Sequence, residues 1–188
     1  LNLDIQRPDD ACQNFIACDL SDPVSLDAAL TSVPAQVGGL ICVAGVGPMP
    51  DNPMKVMTVN FLGTRWLTEQ ILPRIQSKGS VTLVASSAGR DWRDNRAQVD
   101  GMIEAEGFTE GQDWLNSAES GAWKADSYKF SKQCLAAYTY HAVGKARPFG
   151  VRVNCINPGI TETNLSTGFR DMLGSQTYDR IVNLSGRS

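Results

Sequence analysis

The 188-residue sequence is poor in the residues that ligate metals or staple a chain. Its single histidine, His141, has no cysteine or carboxylate at ligand spacing, so no metal centre is indicated. The five cysteines, at positions 12, 18, 42, 134 and 155, are odd in number and contain no close pair. That excludes a disulfide framework and a four-ligand zinc site, and it points to a reducing compartment, the cytoplasm. Long apolar runs are missing as well. The longest, Leu40 to Val46, is far short of a bilayer, and Leu1 is not followed by the basic segment and apolar run of an export signal. Net charge is −3 and the basic residues are dispersed, so neither nucleic acid nor a membrane surface is an expected partner. Repeats, low-complexity tracts and long charge runs are absent from the sequence. What remains is an ordinary globular composition, 42% apolar and 20% charged, which predicts one domain over residues 1–188 and a small-molecule partner.

Within that composition, strands and helices alternate. Asn14 to Cys18 reads as a short strand ending at Asp19, and Ser21 offers an N-cap ahead of Pro23 and a helical run. Leu40 to Val43 is a continuous apolar strand, the pattern of a sheet covered on both faces, and it ends in the turn Ala44-Gly45-Val46-Gly47-Pro48. A long helix is predicted after Asn52-Pro53, reaching about Gln76, followed by a buried strand at Val81 to Ala85. A third unit is interrupted by an apparent insertion over residues 94–122. It then gives a helix from Asp126 to about Ala146, a strand from Gly150 to Ile156 and a turn at Asn157-Pro158-Gly159. This order predicts a parallel sheet flanked by helices. Ligands of such sheets bind at the carboxyl ends of the strands, so Asp19, Ala44 to Gly47, Ser86 and Pro158 to Thr163 are expected on one rim.

Tyr128 and Lys132, in YKFSK, lie four apart on a predicted helix and therefore share a face. An amphipathic tyrosine beside a solvated lysine would have the same spacing, so the pair gains meaning only from its surroundings. Asp19-Leu20, the Ala44-Gly45-Val46-Gly47 turn, Val59-Asn60-Phe61-Leu62-Gly63, the Val84 to Gly89 strand end, YKFSK and Asn157 to Thr163 follow one another in a familiar order. From about Leu1 to Leu165 the sequence resembles the short-chain dehydrogenases/reductases. LICVAGVGP and the insertion narrow the resemblance toward the hydroxysteroid dehydrogenase/carbonyl reductase and coniferyl-alcohol dehydrogenase members of that family.

The resemblance implies an α/β fold, a Rossmann-type doubly wound parallel sheet with helices on both faces. It implies an NAD(H)-dependent oxidoreductase that interconverts an alcohol and a carbonyl on a bulky apolar substrate, a hydroxysteroid or an aromatic alcohol, and that assembles as a homo-oligomer, dimer or tetramer. Hydride transfer to or from a carbinol carbon requires a proton to move at the carbinol oxygen, and a free phenol with pKa near 10 is poorly matched to neutral pH. Lys132 is expected to lower the pKa of Tyr128 and to hold the nicotinamide ribose. Ser86 is expected to orient the substrate oxygen, with Ser87 its rival. Asn60, in an otherwise apolar helical run, would hold a water in a proton relay, or else be a plain helix-surface residue. Gly63 beside it more readily permits close packing.

For the cofactor, the resemblance points to Asp4 and Ile5 at a strand tip. There a carboxylate accepts hydrogen bonds from ribose hydroxyls and repels a 2′-phosphate, which favours NAD over NADP. Asp19 and Leu20 would border the adenine, and Ala44 and Gly45 would admit the dinucleotide close to the backbone. Pro158, Gly159 and Ile160 would form the far wall, with Thr161 and Thr163 supplying hydroxyls.

The sequence also departs from the family pattern. It contains no GxxxGxG phosphate turn, and it reads as lacking the first strand–helix unit and the C-terminal strand, so the 188 residues are expected to bind a dinucleotide poorly. The usual Asn-Asn-Ala-Gly turn is Cys42-Val43-Ala44-Gly45. Ser86 and Tyr128 stand 42 residues apart. The intervening insertion reads as one or two helices that either roof the substrate cleft, alter the subunit interface, or do both. Trp92, Trp114 and Trp123, in or beside it, either line an apolar pocket or pack in the core. A catalytically silent nucleotide-binding sensor or scaffold of the same fold is the alternative reading. Such proteins usually lose the Tyr or the Lys, and this chain keeps both.

Overall fold

The computed structural model describes residues 1–8, 14–117, 121–161 and 166–184. β1 (Asn2–Asp4) pairs in parallel with β2 (Phe15–Ala17), placing Asn2 opposite Phe15 and Asp4 opposite Ala17. α1 (Pro23–Ser32) follows. Its N-cap is Asp22 and not the expected Ser21: Asp22 Oδ1 accepts from the Val24 amide at 3.0 Å, while the Ser21 hydroxyl already donates to Asp19 Oδ1 at 2.7 Å.

A second parallel sheet has the order β3 (Val37–Cys42), β4 (Ile75–Val84), β5 (Arg152–Ile156). Between β3 and β4 the chain runs through α2 (Pro53–Met57), capped by Asn52, then a π-helical segment over Thr58–Gly63, then α3 (Thr64–Ile71). This helix stops short of Gln76, because Pro73 has no amide to continue the ladder and a tight turn at Leu72–Arg74 leads straight into β4. The facing edges of the two sheets, β1 on one side and β3 on the other, line a cavity of about 540 Å³.

The core lies on one face of the three-stranded sheet. Val81 and Leu83 of β4 are fully buried there, together with Cys134, Leu135 and Tyr138 of α7 (Ser127–Ala146) and Phe61 and Leu62 of the π-helical segment. The expectation that Leu40 to Val43 is covered on both faces does not hold: Ile41 is 70% and Val43 65% exposed, while Leu40 and Cys42 pack against the core. Arg152, Asn154 and Ile156 of β5 also face solvent, so the second face of this sheet is open along both outer strands.

Most of the described insertion is a helical hairpin, α4 (Arg96–Glu104) and α5 (Phe108–Ser117); α6 (Ala122–Ala125) follows it. Val99, Met102, Ile103, Phe108 and Leu115 turn into the core, and the Trp114 ring stacks on Phe130 of α7 with centroids 6.2 Å apart. Arg65, 2% exposed on α3, holds the hairpin from beneath. Its guanidinium donates to the carbonyls of Met102 at 3.1 Å, Ile103 at 3.3 Å and Ala105 at 2.7 Å, and to Gly107 O. The Met102 and Ile103 carbonyls are free ones in the last turn of α4, groups a helix cannot satisfy for itself, and those of Ala105 and Gly107 belong to the turn that leads into α5. α8 (Ser166–Leu173) and α9 (Ser175–Leu184) complete the described chain. No described helix is long and apolar enough to cross a membrane.

Candidate active site

Helix α7 starts where Asp126 Oδ1 accepts from the Lys129 amide at 2.9 Å, which sets the rotation of its first turns. Tyr128 and Lys132 consequently project from one face and are 8% and 7% exposed. Lys132 Nζ donates to the Val84 carbonyl at the end of β4 at 3.3 Å and lies 5.7 Å from the centre of the Tyr128 ring. The Ser86 hydroxyl, just past the same strand, borders the same cleft as Tyr128 and favours the ionised form of its phenol, while Ser86 Oγ accepts from the Ala88 amide at 3.2 Å. Ser87 is exposed and its amide donates to the Pro158 carbonyl at 2.9 Å, so of the two serines it is Ser86 that meets the tyrosine.

The electrostatics differ from the expectation. Burial pushes the Tyr128 phenol above its ordinary value, against the opposing effect of the Ser86 hydroxyl, and Asp126 adds to the rise. Lys132 is itself pushed down to about 8 by burial, with the Cys155 thiol pulling the other way. Desolvation thus outweighs any depression of the phenol by the ammonium in this arrangement.

Asn60 is 1% exposed, which removes the surface reading. It sits in the π-helical segment, and its Oδ1 accepts from the Val46 amide at 2.8 Å while Nδ2 donates to the Val46 carbonyl at 3.0 Å and to Ser131 Oγ at 3.2 Å. The side-chain amide therefore clasps the turn after β3 to α7, with both N–H groups committed. Gly45 packs closely under this clasp: a Cβ there would stand 3.1 Å from Asn60 Oδ1, a tight contact, and 3.7 Å from Lys132 Nζ. The bare backbone beside the ammonium is the kind of cradle a ribose and nicotinamide need, and these residues fit such a group.

Gly45, Ser86, Tyr128 and Lys132 line one cleft of about 650 Å³ with Pro158, Gly159, Ile160 and Thr161. Thr163 lies outside the described residues. Asp4, Leu20 and Ala44 line the neighbouring cavity between β1 and β3, and Val43 borders both spaces. Asp4 Oδ1 accepts from the Gln6 amide at 3.0 Å, and Ile5 is 63% exposed beside it. Asp19 borders neither space. It accepts from the Ser21 amide and hydroxyl and forms an ion pair with Lys55 at 3.3 Å; burial would raise its pKa, but these bonds outweigh burial and lower it. Gly63 packs as expected, since a Cβ there would fall 2.0 Å from the Leu20 carbonyl oxygen.

No described residue of the insertion lines this cleft, and neither do Trp92, Trp114 or Trp123. The hairpin lies on α3 and α7 instead. Ser131, Lys55 and Phe169 are the residues of this region that motif reasoning did not single out. Ser131 stood inside YKFSK, but only its complete burial reveals a bridging hydroxyl.

No protein-family model matches the chain. The chain is 33% identical over 177 residues to a coniferyl-alcohol dehydrogenase of Pseudomonas sp. (strain HR199 / DSM 7063), a match that spans 94% of this chain and 68% of that protein. It is 26% identical to the 3-alpha-hydroxysteroid dehydrogenase/carbonyl reductase of Comamonas testosteroni, spanning 92% of this chain and 69% of the relative. Among solved structures, the 3-alpha-hydroxysteroid dehydrogenase from Pseudomonas sp. B-0831 complexed with NADH superimposes with a TM-score of 0.71 at 22% identity, over 95% of this chain and 68% of that one. The Rossmann-like α/β fold with a parallel sheet that the resemblance implies is the fold the chain shares with that structure.

Proposed function

The chain belongs to the short-chain dehydrogenase/reductase family, and from that premise we propose that it interconverts an alcohol and a carbonyl on a bulky apolar substrate, with NAD as the preferred cofactor. The observation that carries this reading is the convergence of Ser86, Tyr128 and Lys132 in one cleft.

When bound, the nicotinamide group supplies a hydride acceptor or donor. The chain's own residues handle the proton. Ser86 holds the substrate oxygen, and Tyr128 exchanges the proton with it: it donates when a carbonyl is reduced and accepts when an alcohol is oxidised. Its raised pKa keeps the phenol protonated at neutral pH, so reduction needs no preceding ionisation. Oxidation needs the phenolate, which the Lys132 ammonium stabilises while it remains charged, that is, below about pH 8. Lys132 and the glycine backbone at position 45 would receive the nicotinamide ribose, Pro158 to Thr161 would wall the ring, and Asp4 would meet the adenosine ribose. Asn60 holds the turn and α7 at a fixed separation, so that these groups keep their spacing.

The test is NADH formation followed at 340 nm with NAD and a panel containing coniferyl alcohol and a 3α-hydroxysteroid. Turnover of either, lost in Tyr128→Phe while NADH binding is retained, is the expected result. Retained NADH binding without turnover of any alcohol or ketone would favour the silent nucleotide sensor instead.

A further inference from the structure

Phe169 has no part in the proton chemistry above, yet its ring stands edge to face with that of Tyr128, centroids 4.9 Å apart and planes at 80°. Gly168 beside it faces the turn after β3: a Cβ there would lie in ordinary contact with Pro48, 3.7 Å from its carbonyl oxygen. α8 therefore spans the mouth of the cleft from that turn to the start of α7. We propose that Phe169 is a specificity-determining residue, and that it selects alcohols whose reacting carbon bears a flat conjugated group over those whose reacting carbon lies in a saturated fused ring. The inference rests on the dehydrogenase reading and deepens it.

The distribution of polar atoms supports this. The side chains of Ser86 and Tyr128 border the same cleft and mark where a substrate oxygen binds. Beyond them the wall is apolar, formed by Val46, Ile160, Phe169, Met172, Leu173 and Ile181, and the charged groups Arg90, Asp91, Asp126 and Lys129 also border the cleft. A substrate that fits presents its reacting hydroxyl or carbonyl to Ser86 and Tyr128 and lays a largely apolar body along this wall, with room for a polar group at the charged border. Phe169 then decides the shape of that body next to the reacting carbon. One side of its ring is spent on Tyr128, and the half-buried remainder faces the cleft. A planar group finds an aromatic surface there and packs against it edge-on or offset, the arrangements rings prefer. A puckered saturated ring is thicker, gains no such contact, and fits only if Phe169 swings off Tyr128.

Binding is measured on the 188-residue chain by equilibrium dialysis, with coniferyl alcohol and androsterone as the two probes. Near-UV circular dichroism checks the fold of each variant. The wild-type chain is expected to hold coniferyl alcohol more tightly than the steroid. Phe169→Ala is expected to weaken coniferyl alcohol about tenfold, the size of one lost aromatic contact, and to leave the steroid unchanged or tighter. Phe169→Leu, which keeps apolar volume without a ring face, is expected to fall between, and it decides the matter if the alanine variant does not fold. Equal weakening of both probes, no change in either, or no binding of either by the wild type overturns the assignment. Because this readout needs no turnover, it separates from the dehydrogenase reading. The expected binding pattern without NADH formation would overturn that reading and leave Phe169 as the residue that chooses the ligand.

Discussion

Asn60 Nδ2 donates to Ser131 Oγ at 3.2 Å, and Ser131 Oγ in turn donates to the Tyr128 carbonyl at 2.7 Å. A fully buried hydroxyl on the helix that carries Tyr128 and Lys132 is thus bound to the side chain that grips the turn at Val46. Removing it leaves an amide proton of Asn60 without an acceptor, at a cost of about 1–3 kcal/mol. Ser131→Ala is therefore expected to lower kcat about tenfold with little change in the KM of the alcohol, because spacing and not substrate contact is lost. Ser131→Thr, which keeps the hydroxyl, should recover part of it. Steady-state kinetics on the two variants would show this, and a change confined to KM would contradict the positioning role.

Lys132 carries a cost to the fold. Its pKa is pushed down to about 8 by burial, from 10.5 when exposed. Between those values the unfolded chain binds the proton that the folded chain has released, so folding gains stability as pH rises through that window. Below about pH 8 the full cost of the buried ammonium applies. Lys132→Met is expected to raise stability at pH 7 by about 2 kcal/mol and to show a much smaller gain at pH 10. Urea unfolding at the two pH values checks both, and a loss of stability at pH 7 would count against the argument.

Arg65 makes the opposite contribution. Its guanidinium satisfies four backbone carbonyls between Met102 and Gly107 that have no other place in a helix ladder. Arg65→Met would strand them in the core and is expected to cost about 3 kcal/mol or more. Hydrogen exchange should localise the damage to α4 and α5. Uniformly faster exchange across the molecule, with no excess in the hairpin, would mean that Arg65 does not act as its anchor.

Gly63 tolerates nothing larger. A Cβ would fall 2.0 Å from the Leu20 carbonyl oxygen, a backbone atom that cannot turn aside. Gly63→Ala is expected to destabilise the protein by about 3 kcal/mol through forced separation of the π-helical segment from the chain after β2. A melting temperature within one or two degrees of the wild type would show that the two segments give way more easily than their geometry suggests.

Much of the site is written in the order of short motifs. Helical spacing alone places Tyr128 and Lys132 on one face, because four residues are about one turn of any α-helix, and strand–helix alternation alone requires a parallel sheet whose strand ends form the cleft. Those are local consequences of the backbone, and so the sequence determines them. What the sequence does not determine is burial, which depends on neighbours far along the chain. Burial raises the Tyr128 phenol where an adjacent ammonium suggested the reverse, and it turns Asn60 from a polar residue on an apolar helix into a clasp on Val46 and Ser131. The insertion follows the same rule. Its acidic and aromatic content reads as one or two helices, but only the tertiary structure, through Arg65 and the Trp114–Phe130 stack, makes them a hairpin laid on α3 and α7 and away from the cleft. Phe169 has no motif at all: it becomes part of the site because α8 folds back across the cleft mouth, a contact between residues 41 positions apart that no local pattern encodes.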